Sequence, residues 1–326
     1  MSAAITSAVQ LESIAVSTTA PIVPAETVRA APPPPPLVAA APAVESALDA
    51  VQRELDGLRS ELETLRRRDD SLRYYAHRLD EELRLAARLQ QDFLPKSLPK
   101  VGPVRFHTLF RPAGHVSGDL YDVMRLDEGH VGFYMADAVG HGMPAALLTM
   151  FLKQALVTKE ISAAGYRLLE PAQTMARLND ALVGQKLSHA TFATALYGHV
   201  DARLLQLTFA RGGHPEPLLL TAAGDLRVLE ADGSLLGIFP DETFAQATVQ
   251  LAPGDRVFLY SDGIELICSP GDTPDAQRWR DELKRRAGQA TDEILADFGA
   301  EAARVAADDA GRPRRDDLTV IVIEVA

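Results

Sequence analysis

The chain has 326 residues, 47% of them apolar and 24% charged, which is enough for a sizeable core in one large domain or two ordinary ones. A formal charge of -12 and a pI near 5.2 argue against nucleic acid as the main partner, because backbone phosphates are met by basic faces. Cys268 is the only cysteine, so there is no disulfide framework and no thiolate metal site; it reads as a small buried apolar residue of a protein kept in a reducing cytosol.

Residues 1–43 are rich in Ala, Pro, Ser, Thr and Val, with five prolines from Pro32 to Pro36. Such a segment supplies neither helix hydrogen bonds nor a packed core, so a disordered arm with a polyproline II stretch is expected. Met1 to Ala20 carries Glu12 and no Lys or Arg, and no stretch reaches the roughly 18 to 20 apolar residues of a membrane span. The expectation is a cytoplasmic protein with no export signal and no anchor.

From residue 44 to 94 the pattern becomes heptad. Alternating steps of four and three from Val51 give Leu55, Leu58, Leu62, Leu65, Asp69, Leu72, Ala76, Leu79, Leu83, Ala86, Gln90 and Phe93, eleven of thirteen being apolar. One register over six heptads predicts a coiled coil of roughly 60 Å, at about 1.5 Å per residue, whose seam needs a second helix. A parallel homodimer is the simplest partner. Asp69 in the seam either fixes register or marks a break, and Gly57 weakens the helix slightly.

Residues 95–326 read as one α+β domain. Strands are expected at Arg105 to Phe110, Val131 to Ala136, Thr191 to Val200, Leu204 to Ala210, Pro217 to Thr221, Val257 to Tyr260 and Leu318 to Val325. Helices are expected at Pro144 to Thr158, Pro171 to Leu187, Asp275 to Ala287 and Asp292 to Ala306. Strands joined by short turns, as at Asp201-Ala202, favour antiparallel sheets with helices packed outside.

Four acidic motifs punctuate this domain: Ser117-Gly118-Asp119, Asp137-Ala138-Val139-Gly140-His141-Gly142, Ser261-Asp262-Gly263 and Asp316-Asp317-Leu318-Thr319. Asp137 and Asp262 follow apolar strands, and Asp316 stands just before the last one. Carboxylates gathered in a small volume raise one another's pKa unless a cation neutralises them, and hard ions such as Mg²⁺ or Mn²⁺ accept all-oxygen ligands. A carboxylate at a strand end can bridge two cations while the carbonyl of Ala138 supplies another ligand.

With Leu89-Gln90-Gln91-Asp92-Phe93-Leu94-Pro95 and Phe209-Ala210-Arg211-Gly212-Gly213-His214-Pro215, these motifs make residues 85–326 resemble the metal-dependent protein phosphatases of the protein phosphatase 2C superfamily, in the bacterial RsbU/SpoIIE-type serine phosphatase branch. The resemblance implies two antiparallel β-sheets sandwiched between helices, with two Mn²⁺ or Mg²⁺ ions at one edge. Asp137 would bridge both ions, Asp262 and Asp316 would hold one of them, and Asp119 would sit on the other side of the cluster. Asp317 would stand just behind the ligands, and a one-residue shift of strand start would exchange Asp316 and Asp317. The substrate implied is phosphoserine on a protein, typically an anti-anti-sigma-type regulator.

His141 is a candidate acid or base but reads better as a hydrogen-bonding residue of its turn. His214 reads as structural. Arg111 is a candidate for meeting the substrate phosphate through its planar donor fork. No sensory domain is recognised before the coil, so an upstream signalling protein is expected to deliver the input. Two rival readings are a coiled-coil interaction protein whose phosphatase-like domain binds phosphoprotein without hydrolysing it, and a phosphatase of small molecules.

Overall fold

The structure, a computed structural model, describes residues 41–163, 165–187, 191–269, 275–307 and 316–326. Residues 1–40 of the expected arm lie outside the described residues. Helix α1 (Ala41–Phe93) opens three residues inside that arm and runs without interruption through Gly57 and Asp69. The chain divides into two compact units, and their boundary at Asp70 falls within this helix. In the first unit the seam residues Val51, Leu55, Leu58, Leu62 and Leu65 are all exposed. In the second, the same register turns inward, with Leu83 and Ala86 half-buried and Gln90 buried.

The second unit continues with β1 (Val104–Arg111), β2 (Asp119–Arg125), β3 (His130–Ala138) and α2 (Met143–Ala155). Gly140 and Gly142, at φ 93° and 74°, make the turn into α2, a conformation that side chains resist, and Pro144 sits in its first turn. A hairpin of β4 (Lys159–Ser162) and β5 (Gly165–Leu168) leads to α3 (Pro171–Gly184), which opens with a capping box between Glu170 and Gln173. Then come β6 (Ala193–Asp201), β7 (Gln206–Gly212), β8 (Leu218–Leu220), β9 (Leu226–Val228), β10 (Gln246–Gln250) and β11 (Arg256–Tyr260). The chain ends with α4 (Gly263–Cys268), α5 (Ala276–Arg285), α6 (Thr291–Ala307) and β12 (Leu318–Val325).

The expected β6 to β7 hairpin is present, with its turn at 202–205 rather than at two residues. Every strand pair in the two large sheets is antiparallel, in the orders β1-β12-β11-β8-β9 and β10-β7-β6-β3-β2. Alternation along the strands sorts their side chains into layers. Ile321 and Ile323 of β12 join Phe133, Met135 and Phe209 in the core between the sheets, whereas Val320 and Val322 face outward. On that outer face Trp279 of α5 and Phe298 of α6 pack with Phe258 and Tyr260. Leu148, Leu152, Met175 and Leu178, from α2 and α3, cover the other sheet against Tyr134 and Tyr197. The result is a helix, sheet, sheet, helix sandwich in which β2 begins, β3 ends, β11 ends and β12 begins at one edge.

Candidate active site

That edge collects the acidic motifs. Asp119 and Asp137 are direct partners across β2 and β3, so the sheet itself places both on one face. Asp119 is 1% exposed and accepts a hydrogen bond from Thr319 Oγ1 at 2.6 Å, which ties one sheet to the other. Ser261 Oγ accepts from the Thr319 amide at 3.0 Å and donates to the Asp317 carbonyl at 3.1 Å. The hydroxyls of three motifs therefore do bracing work: Ser117 Oγ also accepts from the Asp119 amide at 3.0 Å.

Asp316 and Asp317 are distinguished by their hydrogen bonds. Both carboxylate oxygens of Asp317 are engaged, one by the Ala113 amide at 2.7 Å and the other by the Gly118 amide at 2.6 Å. Asp316 is exposed and accepts only from the neighbouring Asp317 amide at 2.9 Å among the described residues. The Ala138 amide donates to the Gly118 carbonyl at 3.2 Å, and the Ala138 carbonyl faces Gly118, where a Cβ would lie 3.4 Å from it.

The electrostatics follow from this crowding. Burial, and then the charges of Asp262, Asp316 and Asp317, push the Asp137 carboxyl up to about 7. Burial and then Asp137 raise Asp119 well above the carboxylate range, against the hydrogen bonds from Ser261 and Thr319. Asp262 and Asp316 lie at the exposed rim, yet surrounding protein raises both, with Asp262 adding to the effect on Asp316. His141, exposed in its turn, acts on Asp316 in the lowering direction. Arg111 Nη1 lies against the Phe110 carbonyl at 3.4 Å, and its guanidinium sits beside Gly299 of α6.

Among the described residues, no three His, Cys, Asp or Glu side chains are already gathered as a ready metal cage. The donor set nevertheless suits a hard divalent cation, since it is all oxygen and these carboxylates raise one another.

Sequence reasoning placed Gln90 in the coiled-coil seam. Instead its buried side chain clasps the Ser117 backbone, donating to the carbonyl at 2.7 Å and accepting from the amide at 2.9 Å. The two residues are 27 positions apart, so only the unusual polar residue in an apolar register hinted at it. Gln90→Ala would orphan both buried backbone groups and is expected to lower stability by about 1 to 3 kcal/mol, read as a shift of the urea midpoint.

His214 is 1% exposed, and its Nδ1 lies 2.8 Å from Thr194 Oγ1, on the strand beside Asp137. Burial, and then the Arg211 charge, push its imidazole down from 6.5 to about 3, which keeps it neutral at neutral pH. The unfolded chain gains a proton near pH 6.5 that the folded chain refuses until about pH 3, so this contribution to stability is lost as pH falls through that window. In His214→Gln, the acid-side decline of the urea midpoint should be shallower. Cys268, half-buried at the end of α4, has its thiol pushed up to about 12 by burial and the Glu282 charge, and is no thiolate.

Residues 127–326 match the family model described as Stage II sporulation protein E (SpoIIE). The chain belongs to the SpoIIE family. It is 31% identical over 196 residues to the phosphoserine phosphatase RsbU of Bacillus subtilis, covering 60% of this chain and 56% of that one. It is 27% identical over 186 residues to the phosphoserine phosphatase RsbP of the same organism, covering 56% and 45%. The chain thus spans about half the length of the curated relatives it matches. The SiaA-PP2C domain of Pseudomonas aeruginosa superposes with a TM-score of 0.63 at 25% identity, covering 77% of this chain and 98% of that domain. The two-sheet sandwich is therefore the protein phosphatase 2C fold. No helix among the described residues is long and apolar enough to cross a membrane.

Proposed function

We propose that this chain is a Mn²⁺- or Mg²⁺-dependent phosphatase that hydrolyses phosphoserine on a signalling protein of the anti-anti-sigma type, in the cytoplasm. The observation that carries this reading is the convergence of Asp119, Asp137, Asp262 and Asp316 from four chain segments onto one sheet edge. Two bound ions would supply a water of lowered pKa and positive charge for phosphoryl oxygens.

Every other part belongs to the chain. Asp137 and the Ala138 carbonyl, Asp262 and Asp316 at the rim and Asp119 on the buried side would together hold the ions. Asp316 is preferred to Asp317 as ligand because the oxygens of Asp317 are already used to fix Ala113 and Gly118. Asp317 thereby positions the turn before Asp119 and leaves the open face to the phosphoester. His141 stands at the rim beside Asp316.

The exposed seam from Val51 to Leu65 supports a coiled-coil homodimer, and the Gln90 clasp supports control of the site through this helix by an upstream protein. Light scattering of the full chain beside a chain lacking residues 44–70 tests the dimer, and a dimer that survives the deletion removes the coil from assembly.

The activity is tested by phosphate release from a phosphoserine protein after chelation, with and without added Mn²⁺. Release that returns only with the ion is the expected result; release without any divalent ion overturns the reading.

A further inference from the structure

Helix α2 is fastened differently at its two ends. It starts directly after the Gly140 to Gly142 turn that follows Asp137, and Ala145 in its first turn packs so closely that a Cβ at Gly118 would lie 3.3 Å from its methyl. Its last turn carries Lys153, about 15 Å further along the axis at about 1.5 Å per residue. Lys153 Nζ lies 2.9 Å from Asp122 Oδ2 and also donates to the carbonyl of Phe93. The pair is largely covered, at 20% exposure for Lys153 and 17% for Asp122, so it is not an ordinary solvated surface bridge.

Both acceptors call for a cation. Phe93 is the last residue of α1, a helix of 53 residues with no basic side chain in its own last turn, so the partial negative charge on its final carbonyls has no counterpart from within the helix. Asp122 brings a full negative charge to the same place from β2. An ammonium group carries three donors on a compact head, which lets one side chain serve a carboxylate and a carbonyl together. The end of α1, the end of α2 and the middle of β2 therefore meet at one nitrogen.

Close by, Gln90 of the same last turns of α1 holds both backbone groups of Ser117. Asp119 stands between these two attachments, after Ser117 and before Asp122. The end of α1 thus grips the chain on either side of a buried carboxylate of the cluster, through Gln90 before it and Lys153 after it. The charges that most shift Asp119 and Asp137 are those of fellow carboxylates, so Lys153 bears on the cluster through the placement of backbone. We propose that Lys153 is a positioning residue: by fixing the end of α1 against β2 it seats Gln90 on Ser117 and so sets the place of Asp119 in the metal cluster. This rests on the metal-dependent phosphatase reading above and adds to it a residue that touches neither ion nor substrate.

The test uses the full chain, first chelated, with Mn²⁺ uptake read by calorimetry and phosphate release from a phosphoserine protein read beside it. Lys153→Met should weaken Mn²⁺ uptake about tenfold. At a fixed Mn²⁺ concentration it should lower kcat and leave KM for the phosphoprotein unchanged, and Lys153→Arg, which keeps the charge, should fall between it and the wild type. Gln90→Ala should weaken uptake to a similar extent, and the double variant should lose no more than the larger single effect, because both act on one attachment. Lys159→Met removes a lysine tie at the far end of the same strand, where Nζ donates to the Leu126 carbonyl at 2.9 Å, and should leave uptake as in the wild type. Unchanged uptake in Lys153→Met, an equal loss in Lys159→Met, or a double variant in which the two losses multiply overturns the inference. Absence of phosphate release from the wild type, with the Lys153-dependent uptake intact, overturns the hydrolytic reading and leaves this assignment standing.

Discussion

Asp137→Asn is expected to reduce Mn²⁺-dependent phosphate release from a phosphoserine protein by about a thousandfold. The replacement keeps the shape of the side chain and removes the charge that the other carboxylates most strongly oppose. Asp137 is raised by burial and then by Asp262, Asp316 and Asp317, so in metal-free protein asparagine relieves repulsion rather than adding to it. Activity and stability should therefore move in opposite directions: the thermal midpoint of metal-free Asp137→Asn should equal or exceed that of the wild type, while calorimetric Mn²⁺ uptake weakens. Full turnover in this variant would remove the carboxylate cluster from the chemistry.

Gly263→Ala is expected to lower kcat/KM by about a hundredfold although no acidic residue is touched. A Cβ at Gly263 would lie 2.1 Å from the Asp317 carbonyl oxygen and 2.9 Å from its carbon, distances that force the two backbones apart. Those two segments are the ones that carry Asp262 and Asp316. Ser261 and Thr319 also bond across the same gap, so separation would loosen the hydroxyl that donates to Asp119. Overpacking of this kind should lower stability by about 1 to 3 kcal/mol, a smaller effect than that on turnover. A variant with wild-type kcat/KM would show that the spacing of these loops does not matter to the reaction.

The readable part of the sequence was the part with local causes. Val131 to Ala136 and Val257 to Tyr260 are short apolar runs closed by an Asp in a glycine turn, and both proved to be strands that deliver their carboxylate to the same edge. The strand β2 went unseen because Asp119 and Asp122 lie inside it, and acidic residues speak against strands until a partner explains them. Exposed β10 pairs only with β7 and shows no apolar run, so it too escaped notice. Contacts between distant segments were beyond reach in principle. The seam of α1 was read as a single continuous face, whereas Gln90 belongs to the Ser117 loop. The sequence predicted the helix α5 but not that Trp279 is fully buried while Arg280 lines a cavity together with Asp137 and Asp262.

One consequence of the ladder remains. Asp119 and Asp137 are rungs of adjoining strands, so their separation follows the interstrand spacing, about 4.5 to 5.5 Å between Cβ atoms, and is stiff. Asp262 and Asp316 lie outside the strands, where no ladder sets their separation. Under the proposed two-ion reading, discrimination by ionic radius, between a small ion that insists on octahedral geometry and a larger, more tolerant one, would fall to that second pair. Exchanging residues around Asp262 and Asp316 would then be the route by which this scaffold changes its metal without rebuilding its sheet.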